Sequence, residues 1–424
     1  MKVTGATLCL WFTALIGTGT SNAQFSENLR PVSGGERLSI NQAVALASQN
    51  NRELNTLREG LGIGRAQLIR AQTIPNNPEV GASYAYVNPI EQRGIASEFS
   101  LSVSQEVEIG GQRGYRTEIA RSKIEEDEAR FGRARQTVVG AVSETFYRVL
   151  LQQEKLELAK EVSDLTDDLV RRTLEKFEAG YAPEFEINFA RLELQKALRE
   201  ETKVRYQLQL VKYSLNYLMG RPFETEFVAE GDFVFRTLEV DLEGLKTYAA
   251  NNRGDLKALQ FEQRTAAGQV SLARSFRIPN PRISLNYRKD FDNYAFSPTI
   301  SLPIRLFNRN KGEINTALAT QRTVEAEYDF LGLLIETEVA SAYNDVLLAS
   351  KEVQFIEEGM LQLAEDNLNL VRQAYLQGEE VEIIEVITAQ RSFVETQTAY
   401  LEALYSFKAA VVILETVVGR EIRQ

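Results

Sequence analysis

Residues 378–390 read Gly-Glu-Glu-Val-Glu-Ile-Ile-Glu-Val-Ile-Thr-Ala-Gln, a glycine followed by acids, between two long segments with helical periodicity. A weaker copy, Gly-Tyr-Ala-Pro-Glu-Phe-Glu-Ile-Asn-Phe-Ala, occupies residues 180–190. Glycine tolerates the positive φ that a tight turn requires, and acids favour the first turn of a helix because of its dipole. Both stretches are therefore predicted to be tips of helical hairpins. We call residues 180–190 the first tip and residues 378–390 the second tip.

The N-terminus has the features of an export signal. Lys2 supplies a positive charge, residues 8–17 are apolar, and small residues at positions 21–23 resemble a cleavage site. The apolar stretch is too short to span a bilayer. We therefore predict a signal peptide over residues 1–23, with a retained anchor as the alternative, and an N-terminal extension over residues 24–37. No lipid is expected on Cys9.

The composition excludes most familiar active-site chemistry. The chain has no histidine, and its one cysteine lies in the predicted signal peptide. Thiol nucleophiles, Ser-His pairs and zinc-finger spacings are therefore absent from the sequence. We predict no catalytic residue, no cofactor and no metal site. A net charge of -11 also argues against nucleic acid as a partner, because phosphate binding needs a basic surface.

Several short motifs occur twice, about 200 residues apart. The pairs are Asn50-Asn51-Arg52 with Asn251-Asn252-Arg253, the proline-asparagine clusters 74–78 with 278–281, and Gly220-Arg221 with Gly419-Arg420. A steady offset over the mature chain indicates two copies of one structural unit. We assign the first repeat to residues 38–220 and the second to residues 241–424. Residues 221–240 form a linker between them, predicted to contain a short strand.

Each repeat contains two segments in which apolar and polar residues alternate, as in a β-strand. They are predicted at residues 79–90 and 94–108, then 281–290 and 294–304. A length of about ten residues suits a tilted membrane strand, although a soluble hairpin covering a helical core is the alternative. Since about eight strands are the fewest that close a barrel, several chains would have to share one barrel. With a signal peptide, this pattern points to a Gram-negative outer membrane.

The remaining sequence is mostly helical. Ser39 is expected to cap a helix running to about residue 72, and no proline occurs between Pro89 and Pro183 or after Pro303. Heptad spacings indicate coiled-coil packing. Helices of this length form an elongated bundle or tube, although a coiled-coil rod is the alternative. The other predicted helices are 242–275, the long helices 117–179 and 313–376, and the return helices 186–218 and 384–418.

Two further segments flank the predicted strands. They are Gln105-Glu106-Val107-Glu108-Ile109-Gly110-Gly111-Gln112-Arg113-Gly114 and Ser301-Leu302-Pro303-Ile304-Arg305-Leu306-Phe307-Asn308-Arg309-Asn310-Lys311-Gly312. With the signal peptide and the duplicated order of elements, they resemble the TolC family of outer-membrane efflux channels. The resemblance covers essentially the whole mature chain. It is strongest to the CzcC-like branch, whose members serve cobalt–zinc–cadmium and related cation pumps.

The resemblance implies a mainly α fold with a small β part, built from a tandem repeat. Long coiled-coil helices would form a periplasmic α-barrel, and four strands per chain would contribute to the twelve-stranded outer-membrane β-barrel of a homotrimer. A periplasmic membrane-fusion (adaptor) protein and an inner-membrane RND-type pump would dock at the tapered end. Outer-membrane lipid would surround the barrel.

The resemblance also implies residue roles at the second tip. Family members carry acids that ring a pore constriction a few residues after the tip glycine. Glu385 fits the first such position, Thr388 replaces the second acid, and Glu382 adds negative potential. Repulsion within such a ring favours opening and attracts cations. A closed state would then need compensating partners, for which Arg372 and Arg391 are candidates.

Adaptor docking is the second role that the resemblance implies. It falls on both tips, at Gly180 and Glu186 in the first and at Gly378, Glu379 and Glu380 in the second. The alternative is that the acids only solvate the ends of helical hairpins, where acids are favoured in any case.

Four other functions compete with a metal-efflux duct. Multidrug efflux and type I secretion would use the same kind of channel. A periplasmic coiled-coil structural or adaptor protein would share the helices but would not need the strands. An enzyme is disfavoured, because the one carboxylate pair considered, Glu184 and Glu186, lies at a turn that recurs in both repeats. Without a soft metal site in the duct, any selection among metals would occur in the pump and adaptor.

Overall fold

The computed structural model describes residues 36–87, 96–238, 240–290, 293–377, 380–420 and 422. The first repeat and its leading strand contain β1 (Glu36–Ser39), α1 (Ile40–Asn50), α2 (Arg52–Gln72), β2 (Glu79–Val87), β3 (Ala96–Glu106), α3 (Gln112–Glu178) and α4 (Glu184–Leu218). The linker contains β4 (Phe227–Glu230), followed by α5 (Leu242–Asn252), α6 (Gly254–Ser275), β5 (Arg282–Asp290), β6 (Asn293–Ser301), α7 (Lys311–Gly359), α8 (Leu361–Gln377) and α9 (Ile383–Val418). The second repeat thus reproduces the order of the first, with its long helix divided in two.

The four longer strands form one antiparallel sheet in the order β2-β3-β5-β6. They lie where the sequence predicts strands, with ends that differ by up to three residues among the described positions. The central pair, β3 and β5, joins the two repeats. Within the described residues, β2 and β6 each have one edge without a partner strand.

The register gives this sheet two contrasting faces. One face carries Val80, Ala82, Tyr84, Tyr86, Phe99, Leu101, Val103, Ile283, Leu285, Tyr287, Tyr294, Phe296, Pro298 and Ile300, with Ser97 and Lys289 near the hairpin ends. The other face is mainly small and polar, with Ser83 and Ser100 hydrogen-bonded at 2.7 Å and Arg288 paired with Glu98 at 2.6 Å. The apolar face is exposed in the single chain. We call it the apolar sheet face.

A short parallel pair of strands joins the start of the first repeat to the linker. β1 pairs with β4, from Glu36 opposite Phe227 to Ser39 opposite Glu230. Arg221 binds the Glu36 carboxylate through two hydrogen bonds of 2.9 and 3.2 Å. The short strand in the linker was predicted, whereas β1, which crosses the predicted boundary at residues 37 and 38, was not.

The helices pack lengthwise around two main cores, one for each repeat. The first core includes Phe146 and Leu215, from α3 and α4, and the second includes Val339 and Phe407, from α7 and α9. α3 alone has 67 residues, a length of about 100 Å. Within the described residues, no helix is both long and apolar enough to cross a bilayer.

The first helix of each repeat is broken, which contradicts the prediction of continuous helices over 38–72 and 242–275. The capping box of Ser39 with Gln42 confirms the predicted start. Asn51 then ends α1 and caps α2, since its side chain accepts hydrogen bonds from the backbone of Glu53 and Leu54. In the second repeat the break falls at Arg253. The Asn51 side chain thus stops α1 by capping the next helix, without a glycine or proline at the break.

The predicted long helix over 313–376 is also broken. α7 ends at Gly359 and α8 begins at Leu361, with Met360 between them at φ −118° and ψ −40°. Its counterpart α3 continues without a break. Gly359 has no atom within 4 Å of where a Cβ would lie, so close packing does not require a glycine there. Because glycine has a low helix propensity, it makes the helix less stable at this position, which accounts for the break.

Candidate functional site

The first tip is closed by backbone hydrogen bonds. Gly180 has φ +81°, its N–H donates to the Phe177 carbonyl at 2.9 Å, and the Tyr181 N–H donates to the Lys176 carbonyl at 2.8 Å. This is a Schellman motif, in which the left-handed residue allows the chain to reverse. Pro183 then precedes α4, whose first turn contains Glu184. The sequence therefore explains the conformation of this tip completely.

In the described part of the second tip, Glu382 and Glu385 form a capping box at the start of α9. The Glu385 carboxylate accepts the Glu382 N–H at 3.1 Å, and the Glu385 N–H donates to the Glu382 carbonyl at 3.0 Å. This capping box ties together two of the predicted constriction residues. Glu380 is exposed. Gly378 and Glu379, predicted to dock an adaptor, lie outside the described residues.

The predicted constriction residues share one exposed face of α9. Glu385 and Thr388 are both exposed and lie one turn apart, and the Thr388 hydroxyl donates to the Ile384 carbonyl at 2.7 Å. The opposite face of the same turn is buried through Ile383 and Val386. The hydroxyl of Thr388 is therefore bound to its own helix, and Glu385 supplies the only charge of this pair.

Within the single chain, Arg372 and Arg391, the candidate partners of Glu385, bind other carboxylates. Arg372 instead donates to Asp168 of α3 at 2.8 Å, and Arg391 donates to Glu193 of α4 at 2.5 Å. Both arginines of the second repeat thus bind carboxylates of the first. They connect the two hairpins, while the carboxylate of Glu385 is left to its cap.

A network around Tyr375 was not predicted. The Tyr375 side chain is 2% exposed, and its hydroxyl donates to Glu186 at 3.3 Å and lies 3.2 Å from the Thr173 hydroxyl. Lys176 lies over the ring, with its Nζ 3.7 Å from the centroid, and donates to the Tyr375 carbonyl. We call these four residues the tip network. Glu186, predicted to be a docking residue, is half-buried and turned toward the second repeat.

The sequence holds one signal that could have indicated this network. Lys176 lies four residues before Gly180, and Tyr375 lies three residues before Gly378. Two residues so close to their tips come together if the two hairpins pack side by side. A lysine and a tyrosine in adjacent positions of that kind favour a cation–π contact.

An apolar cluster packs the two hairpins together beside the network. It contains Leu169, Ala190, Tyr375, Ile383, Val386 and Ile387, from α3, α4, α8 and α9. One turn further from the tip, the Gln390 amide donates to the Thr166 hydroxyl at 2.7 Å. Near the tips, the two hairpins are therefore held together by apolar packing, ion pairs and hydrogen bonds.

Burial changes the ionisation of several groups here. It raises the pKa of Tyr375, an effect that the Thr173 hydrogen bond opposes and the Glu186 charge adds to. Burial also lowers the pKa of Lys176, partly offset by Glu186. For Glu193, burial opposes ionisation, but hydrogen bonds and charges from Lys196 and Arg391 outweigh it and lower the pKa. At neutral pH, the Tyr375 phenol of the tip network is therefore neutral, and the Glu193 carboxylate that binds Arg391 is ionised.

A groove of about 550 Å³ runs between α3, α4 and α9 above the tips. Its lining carries both signs of charge, including Lys155, Lys196, Glu193 and Arg391. Across the described part of the chain, no group of three or more acidic, histidine or cysteine side chains has an arrangement that could hold a metal ion.

Comparison with known proteins identifies similar chains over nearly the full length. The sequence pattern of the family described as outer membrane efflux protein matches residues 43–221 and 247–420. The cobalt-zinc-cadmium resistance protein CzcC of Cupriavidus metallidurans is 23% identical over 392 residues, which cover 90% of each chain.

Solved structures share the fold. A structure of CusC superimposes with a TM-score of 0.74 at 18% identity, covering 93% of this chain and 96% of that one. VceC of Vibrio cholerae, an outer membrane protein, gives 0.71 at 18% identity over 91% of this chain and 97% of its own. The Campylobacter jejuni outer membrane channel CmeC gives 0.75 at 16% identity, with 91% and 87% covered. The tandem helical repeat with its four-stranded sheet is the fold of these channels.

Proposed function

This chain belongs to the outer membrane efflux protein family, and on that premise we propose that three copies form the exit duct of a heavy-metal efflux system. The four strands of each copy contribute to one twelve-stranded barrel in the outer membrane, and the helices extend into the periplasm. Substrate moves through the duct passively, driven by a pump elsewhere. Residues 1–23 are the cleaved leader in this account, and 38–220 and 241–424 are the two repeats that surround the duct.

The sheet is the observation that carries the proposal. Its apolar face is exposed along all four strands, its other face is polar, and the outer edges of β2 and β6 lack partners within the described residues. β2 leads away from the helices and β6 returns toward them, so β6 of one copy can pair antiparallel with β2 of the next. Four strands cannot close a barrel, whereas the twelve strands of three copies can.

The test is the size and location of the assembly. The full chain expressed in a Gram-negative host is expected to fractionate with outer membrane and to run as a trimer in mild detergent by light scattering. Phe296→Asp, which places a charge on the apolar sheet face, should prevent insertion. Ser297→Asp, its neighbour on the polar face, is the matched control and should still insert. Intact protein in the soluble periplasmic fraction would refute the proposal.

At the lower end, three copies of α9 would place Glu385 around one axis. A ring of carboxylates attracts cations, and its repulsion favours an open mouth. The tip network and the two ion pairs Arg372–Asp168 and Arg391–Glu193 oppose that opening by holding each second-repeat hairpin against the first. Two opposing effects therefore set the opening of the duct at the tips in this proposal. Repulsion among the Glu385 carboxylates favours the open state, and the contacts between the hairpins favour the closed state.

Metal cations are the proposed cargo because CzcC, by its name, confers resistance to cobalt, zinc and cadmium. Deleting the gene should sensitise the host to salts of these metals, and the intact chain should restore tolerance. Multidrug efflux is the second candidate, since the fold is shared with channels of other systems. Sensitivity to dyes and detergents, without sensitivity to metals, would support that alternative. A third, type I secretion, would show as loss of a secreted protein.

The partners in this proposal are a periplasmic adaptor and an inner-membrane RND-type pump. The adaptor docks at the two tips, through Gly180 and the exposed Glu380, and reaches the charged groove between α3, α4 and α9. Cross-linking from a cysteine introduced at Glu380 should capture the adaptor in cells. A cysteine introduced at Glu325, far along α7, should not.

A further inference from the structure

The segment that joins β6 to α7 exposes large apolar side chains. They are Leu302, Ile304, Leu306 and Phe307, of which Ile304 is 78% and Phe307 99% exposed. We call residues 302–311 the junction segment. Such exposure outside a strand or helix requires a partner, because apolar surface of this kind is costly in water.

The junction segment continues the apolar sheet face. Ile300 lies on that face opposite Ile283, and Leu302 and Ile304 follow at intervals of two residues. The β5–β6 pairing ends at Ser301 opposite Arg282, so the apolar surface extends beyond the last paired residue. Pro303 has no N–H and cannot extend the ladder. A partner would therefore contact the apolar side chains of the junction segment and would not pair with a strand edge there.

The first repeat has a similar extension. Beyond the end of β3, Val107 and Ile109 remain exposed, and the Val107 N–H donates to the Pro281 carbonyl at 2.9 Å. Val107 and Ile109 have the same alternation as Val103 on the apolar sheet face. Apolar surface thus continues toward the helices at two neighbouring places of the same sheet.

The junction segment is held in place at both ends. Asn310 has φ +58°, and its side chain donates to the Ala273 carbonyl of α6 at 2.8 Å. In the middle, the Leu306 N–H donates to the Ile304 carbonyl at 3.1 Å, which closes a three-residue turn. The apolar side chains are therefore presented by an ordered backbone.

The same segment is basic in an acidic protein. Residues 302–311 contain Arg305, Arg309 and Lys311 and no acid, whereas the chain carries a net charge of -11. Arg309 and Lys311 are exposed, and none of the three forms an ion pair with any described residue. Apolar side chains next to unpaired cations are the combination that binds the interface of an anionic bilayer.

We propose that the junction segment is a membrane-interface anchor for anionic phospholipid. Leu302, Ile304, Leu306 and Phe307 enter the periplasmic leaflet of the outer membrane, and the three cations bind phosphate head groups. The inference rests on the proposed function, since it needs the sheet to cross that membrane. The anchor fixes the height of the sheet in the bilayer at the level where the helices begin.

Contact with lipid can be measured with one fluorescent reporter. Trp11, the only tryptophan in the chain, lies in the proposed leader, so Phe307→Trp gives the mature chain a single indole. The full assembly is placed in vesicles of phosphatidylcholine and phosphatidylglycerol with brominated acyl chains, which quench an adjacent indole. Loss of emission is expected for Phe307→Trp. Tyr294→Trp, at an 80% exposed position within β6, is the matched control.

The two reporters separate the possible failures. Quenching of Tyr294→Trp without quenching of Phe307→Trp would overturn the anchor and leave the proposed function intact. A blue-shifted but unquenched Phe307→Trp would then show that a second copy of the chain covers the segment, and red-shifted emission would show that water does. If neither reporter is quenched, the proposed function itself fails.

The preference for anionic lipid is tested by bromine on one lipid at a time. Phosphatidylglycerol should quench Phe307→Trp more than phosphatidylcholine does, and each cation is worth about a fivefold enrichment. Combining Arg305→Gln, Arg309→Gln and Lys311→Gln should abolish this preference, and Lys289→Gln near the opposite end of the sheet should not. If the triple variant fails to assemble, 1 M salt on the unmodified cations makes the same test. A preference that survives charge removal or salt would overturn the cationic part of the proposal.

Discussion

The two repeats share one order of elements but differ in the continuity of the long helix and in how the helix after the tip begins. In the first, α3 runs unbroken and its tip is closed by backbone bonds around Gly180. In the second, the long helix is divided at Met360, and the helix after the tip begins with a capping box of two acids, Glu382 and Glu385. The second repeat therefore carries both the break in its long helix and the pair of acids that caps α9.

The largest difference in stability between matched variants is expected at Gly220 and Gly419, where the two repeats end. Both have positive φ, but a Cβ on Gly220 would lie 2.2 Å from the Asn50 carbonyl oxygen, whereas on Gly419 the nearest atom is a Gln136 side-chain nitrogen at 3.4 Å. Gly220→Ala should therefore destabilise by about 3 kcal/mol or more, and Gly419→Ala by about 1 kcal/mol. Thermal unfolding of the assembly followed by circular dichroism at one fixed scan rate compares them. Equal losses would refute the contrast.

The helix breaks at the start of each repeat provide the next contrast. Arg253 is 3% exposed and binds Asp255 at 2.6 Å and also Glu338, whereas Asn51 caps its helix with a neutral amide. Arg253→Ala leaves Glu338 without its cation and Asp255 with Arg133 alone, at 3.7 Å, and should cost about 2–3 kcal/mol. This is less than for a fully buried pair, because both carboxylates keep contact with water.

Asn51→Ala is the matched change in the first repeat. It removes the cap of α2 and the 2.8 Å hydrogen bond to the Leu218 carbonyl, and should cost about 1–2 kcal/mol. The same unfolding measurement applies. A larger loss for Asn51→Ala than for Arg253→Ala would contradict the account of the second break.

A smaller effect is expected from the tip network. Tyr375→Phe keeps the ring under Lys176 but removes the hydroxyl that bonds Glu186 and Thr173, at a cost of about 1 kcal/mol. Because this contact holds the second repeat against the first, the variant should raise single-channel conductance or open time in planar bilayers. Tyr328→Phe removes a hydroxyl that bonds Gln260 on the second-repeat helices and serves as the control. Identical currents from both variants would argue against a role in closure.

The smallest effect concerns acid. The folded-state pKa of Glu193 is lowered, so its contribution to stability is fully present above the unfolded-state pKa and is lost as pH falls through the folded value. The ion pair with Arg391 should therefore persist through the usual titration range of a glutamate and weaken only at more acidic pH. Glu193→Gln should reduce the acid-induced change in conductance, while Glu200→Gln on the same helix should leave it in place. If acid changes the conductance of Glu193→Gln as much as that of the unmodified channel, the Glu193–Arg391 ion pair has no part in closure.

Local patterns in the sequence predict much of this fold. Alternation locates all four long strands, and the glycine-plus-acid stretches locate both tips, because these depend on neighbours within a few residues. The breaks at Asn51, Arg253 and Met360 were missed, since none of these residues is a strong helix breaker. Asn51 stops its helix by capping with its own side chain.

Contacts between the repeats could not be predicted in the same way. Arg372 and Arg391 were recognised as cations near the second tip, but their partners Asp168 and Glu193 are about 200 residues away in the chain. Only the side-by-side packing of the hairpins selects those carboxylates over Glu385. The pairing of β1 with β4 depends on the same long-range geometry.

The most direct test of the central claim is ion selectivity at the second tip. The reversal potential and the block by divalent cations are measured in planar bilayers for Glu385→Ala and for Glu184→Ala, which removes an exposed acid from the first turn of α4. Glu385→Ala is expected to reduce cation preference and divalent block, and Glu184→Ala is expected to leave both near those of the unmodified channel. Unchanged selectivity and block in Glu385→Ala would contradict a carboxylate constriction at the second tip.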